Sequence, residues 1–363
     1  MFCPASRTEV CKRLPGKEVE GMGIAELRCD FLELVRVPGP SGFEQPVAKV
    51  IREKIEPYVS TVETDGMGNL LATKKGRSEK PVLALMAHMD EVSMVTRDVR
   101  DGFVWFDFVV DINAAVTAGQ PVVILTGDGP VPGVVRSPST HLGQTLNRLW
   151  IDAGPRCAKV EPGDPIVFDT MPRWLNNEET LLASKAVDNR QGCAILLETA
   201  RRLAGVELDV TVIFAFTVQE EVGCRGARHL AKTVCPKWAI SVDTGYGADP
   251  EAGPGTGIPL GTGPVIRRFE SSKPGRGMLM FFADEELVTG LRESADKAGI
   301  PYNLDVRFNL FTDAAGVYDE RSDIKCVSVT VPRRNSHSPY EVVDLNTMCQ
   351  AASLFEAFLK SRF

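Results

Sequence analysis

The sequence has no CxxC pair, no G-x-S-x-G elbow, no GK[ST] phosphate loop and no uninterrupted apolar run of about 18 residues. These absences remove zinc ribbons, serine hydrolysis by the usual elbow, P-loop chemistry and a membrane-spanning helix. The nine cysteines are odd in number and scattered, so no disulfide framework is expected and a reduced, cytoplasmic compartment fits. None of them sits in a nucleophile signature. A basic surplus is also lacking: 41 Lys and Arg against 48 Asp and Glu leave a net charge of −7. That disfavours a broad phosphate-binding face, and no nucleic-acid or membrane partner is expected. The first twenty residues have no apolar signal core, so residues 1–23 read as a frayed N-terminal extension.

What is present is an ordinary globular composition, long enough at 363 residues for one large core or two modest ones. "IAELRCDFLELVRVPG" spaces Ile24, Leu27, Phe31, Leu34 and Val35 as one helical face before Pro38 and Gly39 end it. Ser41 and Glu44 form a capping-box pattern ahead of a second helix in "SGFEQPVAKVIREKI". "VETDGMGNLLATKKG" reads as a hairpin and "PVLALMAHMD" as a buried strand. Between about Ser93 and Thr170 the texture changes to short β-like runs cut by Gly and Pro, which predicts a small inserted β-barrel-like domain. Strands and helices then alternate: "NRQGCAILLETARRLAG" as helix, "VTVIFAF" as strand, "GARHLAKT" as helix, "KWAISVD" as strand. "DEELVTGLRESADKAG", "IKCVSVTVP" and "DLNTMCQAASLFEAFLKS" follow as helix, strand and closing helix. The expected fold is α/β: a three-layer α/β/α catalytic domain, residues 24–92 and 171–363, with a mostly parallel sheet and the inserted β unit at 93–170.

Chemistry-bearing residues fall where strands end. "VLALMA" runs into His88 and Asp90, "VTVIFAF" into Glu220 and Glu221, and "WAISV" into Asp243. Open α/β sheets bind ligands along that rim. Asp188 precedes a helix in "ASKAVDNRQG", and His337 lies in a loop after a strand in "VPRRNSHSPYE". His88 and Asp90, two apart, share a face while the chain stays extended, a spacing that suits a metal-bound imidazole steadied by a carboxylate. Glu220 and Glu221 are adjacent and should point apart, so one can bind a metal while the other faces a water. His141 and His229 have no such companions and read as structural or surface residues. "GPGTGIPLGTGP" lacks the spacing of a nucleotide loop and reads as a loop near the site.

With these residues in view, the chain resembles the tetrahedral or glutamyl aminopeptidases, two-metal exopeptidases of the aminopeptidase and carboxypeptidase clan. "PGPSGFE", "DGMGNL", "AHMDEV", "SKAVDNRQG", "TVQEEVGCRGA", "SVDTG", "LGTGPVI", "FTDA" and "HSPYEVVDL" occur in that family's order. The resemblance implies that Asp188 bridges two metals, with His88 and Asp243 completing one site and Glu221 and His337 the other. It implies Glu220 as general base, Asp90 as the carboxylate behind the ligands, and a cis bond between Asp188 and Asn189. It also implies that the inserted segment is an oligomerisation domain, giving dimers up to dodecamers, and that the substrates are peptides. Asn189 stands where the family usually has aspartate, Ser93 where it has glycine, and Phe311 where glycine is common; none is a direct ligand.

Two cations sharing one water lower its pKa to about neutrality. Histidine and carboxylate ligands without thiolate suit zinc or cobalt, with manganese a third option. Two other readings compete. A glycosidase also uses paired carboxylates, but it would leave His88, Asp188, Asp243 and His337 without a task. A catalytically inactive oligomeric scaffold would not need Glu220.

Overall fold

The computed structural model describes residues 22–138, 149–248, 257–272 and 279–363. His141 therefore lies outside the described residues. The run Thr211–Thr217, apolar between its two terminal threonines, is buried along its whole length, as a strand covered on both faces requires. It pairs in parallel with Val82–His88, which pairs in parallel with Trp238–Tyr246, and that strand in turn with Lys325–Arg334. Antiparallel strands flank this parallel centre: the Thr61–Thr64 and Leu70–Lys74 hairpin on one side, Glu341–Asp344, Leu181–Ser184 and Arg173–Trp174 on the other.

Helices cover both faces. Met22–Leu34, Gln45–Ile55, Val187–Arg202, Glu285–Ala298 and Leu345–Arg362 share one apolar core with the sheet. Arg225–Thr233 and Asp313–Glu320 pack with the opposite face around Ala84, Met86, Cys224 and Leu230. These are the expected three layers. Among the described residues, no helix is long and apolar enough to cross a membrane.

The predicted β insertion is a closed six-stranded barrel, running from Met94–Arg100 to Pro165–Phe168 around its own core of Met94, Val104, Val122, Ile124, Ile151 and Phe168. Closure leaves this small unit without free edges.

Three local expectations need correction. The capping box is not formed: helix Gln45–Ile55 begins after Glu44 without a side-chain cap, and Ser41 instead donates to Asp90 Oδ2 at 2.6 Å. A tertiary charged acceptor outcompetes the local backbone N–H. Asp243 lies inside its strand, paired with Thr330, because the strand continues to Tyr246. Cys29 is disulfide-bonded, a pairing its scattered spacing does not reveal, whereas Cys157, Cys193, Cys224, Cys235, Cys326 and Cys349 are free thiols.

Candidate active site

The carboxyl ends of the central strands converge on a cavity of about 320 Å³ lined by His88, Asp188, Glu220, Glu221, Asp243 and His337 among others. His88 arrives as the last residue of its strand and is buried. Its Nε2 lies 3.1 Å from Asp188 Oδ1 and 3.7 Å from Asp243 Oδ1, while Nδ1 lies 3.3 Å from Asp90 Oδ1. Asp90 is thus behind the ring, on the side away from the cluster.

Asp188 is placed by a tight junction. Ala186 takes a left-handed φ of 54°, the Asp188–Asn189 bond is cis as the resemblance implies, and helical geometry begins only after Asn189. Gly192 lets the helix approach the neighbouring strand: a Cβ there would stand 2.4 Å from Asn189 Oδ1 and 2.5 Å from Val242 O. Asn189 donates to Val242 O at 2.8 Å and accepts from Gly192 N at 3.0 Å, so the amide fills the place where the family has a carboxylate without disturbing Asp188.

The second imidazole comes from a turn. His337 has φ 53° and Asn335 φ 58°, a left-handed backbone steadied by the His337 N–H, which donates to Glu341 Oε1 at 2.9 Å. His337 Nε2 lies 3.7 Å from Asp188 Oδ2 and 3.6 Å from Glu221 Oε2, and Nδ1 is 3.0 Å from the Asp111 carbonyl. A carbonyl can only accept, so Nδ1 carries a proton, and Nε2 is the nitrogen that faces the carboxylates and can ligate a cation once it has shed its own proton. Asp111 follows the first barrel hairpin, so the segment inserted between the halves of the sheet helps to orient this histidine.

Glu220 and Glu221 are separated, but not by strand pleating, because the strand has ended at Thr217 and both lie in a turn. Asp90 holds that turn: Oδ1 accepts the Glu220 N–H at 3.0 Å and Oδ2 the Glu221 N–H at 3.2 Å. From there Glu220 Oε2 lies 3.9 Å from His88 Nε2, and Glu221 faces His337. His229, expected to be structural or at the surface, stands apart on helix Arg225–Thr233, 3.9 Å from Asp65.

Two site residues carry no recognisable pattern in the sequence. Arg333, buried in the strand before His337, donates to Asp188 Oδ2 and, at 2.8 Å, to Glu341 Oε1. Glu341 Oε2 accepts the Asp188 N–H at 3.0 Å. Both residues lie within motifs already quoted, and only proximity to His337 could have marked them.

Charges in so small a volume shift one another. Burial alone would lower the His88 imidazole, but its bonds to Asp188, Asp243 and Asp90 outweigh that and raise it well above its ordinary value. His337 behaves likewise: burial opposes protonation, yet Glu221 and Asp188 push it up to about 9. Burial raises Glu220 well above the usual carboxylate range and Glu221 to about 7. Asp188 goes the other way, because the Arg333 guanidinium overcomes burial and holds it well below.

A cation answers this crowding of donors. His88, Asp188 and Glu221 offer ligand atoms within 4.8 Å of one another, and Glu221 Oε1 is buried with no hydrogen-bond partner. This group of three draws ligands from both sets that the resemblance separates, as expected if Asp188 lies between them. The donor set, imidazole and carboxylate without thiolate, fits a divalent ion of the zinc, cobalt or manganese kind.

Comparison with known proteins identifies the family and the fold. A family model described as M42 glutamyl aminopeptidase matches residues 68–354. The chain belongs to this family. It is 28% identical over 346 residues to the glutamyl aminopeptidase of Lactococcus lactis, covering 90% of this chain and 94% of that one. The TET aminopeptidase of a marine sediment thaumarchaeon superposes with a TM-score of 0.85 at 28% identity, over 93% of this chain and 97% of that chain. The TET1 peptidase of Pyrococcus horikoshii, described as assembling into a tetrahedron or a large octahedral shell, gives 0.80 at 29% identity over 92% and 99%. The M42 chain is accordingly a hydrolase of the aminopeptidase class, in a metal-dependent family, with a His, Asp and Glu site able to hold a metal.

Proposed function

We propose that the protein is a two-metal aminopeptidase that removes N-terminal residues from peptides, with Glu220 as general base. One observation carries the reading: the two oxygens of Asp188 face different imidazoles, Oδ1 toward His88 and Oδ2 toward His337, and each imidazole faces one further carboxylate, Asp243 or Glu221. That is the arrangement a bridging carboxylate needs. His88 and Asp243 would hold one ion, Glu221 and His337 the other, and Asp188 both.

When bound, two such ions supply Lewis acidity toward the scissile carbonyl and acidify the attacking water. Glu220, raised by burial and not committed to either ligand pair, takes the proton from that water and returns it to the departing amine. Asp90 fixes the turn that aims Glu220 and keeps the His88 ring from rotating.

We further propose residues 24–92 and 171–363 as the catalytic domain and 93–170 as an oligomerisation domain building dimers and larger shells. The support is the closed barrel and the likeness to a shell-forming relative. A cytoplasmic location rests on six free thiols among the described residues, and the Cys29 disulfide runs against it.

A screen of chelator-stripped protein reloaded with zinc, cobalt or manganese, against aminoacyl anilides and a soluble glucan, tests the reading. Metal-restored cleavage confined to anilides with a free amine supports it. Glucan cleavage indifferent to chelator would replace it with a glycosidase, and metal binding without turnover would leave a scaffold.

A further inference from the structure

Beside the candidate ligands the cavity has an apolar wall. Leu310 and Phe311, both half-buried, line it together with Val110, which follows barrel strand Phe103–Phe108, and Tyr246, which ends strand Trp238–Tyr246. None of the four can ligate through an imidazole or carboxylate, so the metal reading leaves them without a task. Phe311 also packs against the cluster of Ala84, Met86 and Cys224, so the core backs it where it borders the cavity.

A buried ion pair holds this wall. Strand Val265–Ser271 runs antiparallel to Lys325–Arg334, and Oε1 of its Glu270 accepts the Thr312 N–H at 3.0 Å and the Thr312 hydroxyl at 2.9 Å. The Ser271 carbonyl accepts the Leu310 N–H at 2.9 Å. Glu270 Oε2 in turn lies 3.2 Å from Arg267 Nη1, and Arg267 Nη2 donates to the carbonyl of Thr244, the neighbour of Asp243, at 3.1 Å. The backbone is thus gripped on both sides of Phe311 and tied to the strand that carries a candidate ligand. A wall fixed in this way is formed before a ligand arrives, as is usual for small-molecule sites.

We propose that this wall receives the N-terminal side chain of the peptide and selects a neutral, apolar one, with Leu310 and Phe311 as the specificity-determining residues. The inference rests on the aminopeptidase reading above and names its substrate class. Charge supports it. Among the described residues that line the cavity, the one side-chain cation outside the two imidazoles is Arg333, which is paired with Asp188 and Glu341. An acidic side chain would therefore bring a charge into the cavity without a new partner, which is strongly unfavourable. Asp111 is the one lining carboxylate outside the proposed ligands and base, so a basic side chain is accommodated better than an acidic one. The expected order is leucyl, then lysyl, then glutamyl.

The test is kcat/KM of the metal-loaded full chain on leucyl, alanyl, lysyl and glutamyl anilides. One methylene in an apolar pocket separates substrates by about 10–200-fold, so leucyl should exceed alanyl by about 10-fold or more and glutamyl by about 100-fold. Phe311→Ala should lower the leucyl-to-alanyl ratio, and Leu310→Lys should raise the glutamyl-to-leucyl ratio. A merely structural role would lower all four substrates together and leave both ratios where they were, which overturns the assignment to these residues. A wild type that cleaves glutamyl or lysyl anilide as fast as leucyl overturns the proposal while the aminopeptidase reading stands. Cleavage of none of the four removes that reading, and this inference with it. Should either variant misfold, the wild-type order of the four substrates still decides whether the pocket selects a neutral, apolar side chain.

Discussion

Asp90 Oδ1 accepts the backbone N–H of Glu220 at 3.0 Å, so the residue behind the His88 ring also sets the position of the proposed general base. One carboxylate therefore ties His88 to a glutamate 130 positions beyond Asp90.

The two glutamates of that turn should separate cleanly on substitution. Glu220→Gln keeps the metal content and the fold while kcat falls by about 10²–10⁴-fold, the usual contribution of a general acid and base. Glu221→Ala loses metal instead. Elemental analysis paired with turnover checks this, and the reverse pattern would exchange their roles.

Asp90→Asn keeps the shape but weakens the hold on His88 and on both turn amides. Loss of such an outer partner lowers metal affinity by about 10–100-fold. Competition against a chelator measures it. Ser41→Ala, which removes only one of the bonds to Asp90, should shift affinity in the same direction by less.

Arg333 is buried between Asp188 and Glu341 and links them. Arg333→Met removes the guanidinium that pairs with both buried carboxylates, which costs about 3–5 kcal/mol in the metal-free protein. A cation at Asp188 compensates part of that charge, so denaturant unfolding should show a smaller loss with metal than without. An equal loss in both conditions would make Arg333 a purely structural residue.

Most residues that line the cavity were legible because strand-end placement and motif order are local properties of the sequence. Ser41 was misread as a helix cap because its true acceptor, Asp90, is 49 positions away. The separation of Glu220 from Glu221 was anticipated, but its cause was not, since only the fold brings Asp90 beneath the turn. Arg333 and Glu341 went unassigned because a buried ion pair has no signature apart from its partner. "VIRRFES" was not read as a strand because its charged residues mask the alternation, which the bulge between Arg267 and Phe269 then breaks.

The pH dependence of the metal-free protein follows from His337. Its value is raised from 6.5 to about 9 in the folded chain. The stabilisation is therefore complete below pH 6.5 and is lost as pH rises through about 9. Unfolding free energy with chelator present should decline over that window, and His337→Gln should flatten the decline. Because the imidazoles must shed protons to bind metal, metal affinity should rise over the same range.

Equilibrium dialysis against zinc, with elemental analysis of the wild type beside Asp188→Ala, tests the bridging carboxylate most directly. Two ions per chain in the wild type, and at most a trace in Asp188→Ala with the fold intact by circular dichroism, is the predicted result. A single ion per chain in the wild type, or two retained without Asp188, would contradict the two-metal account.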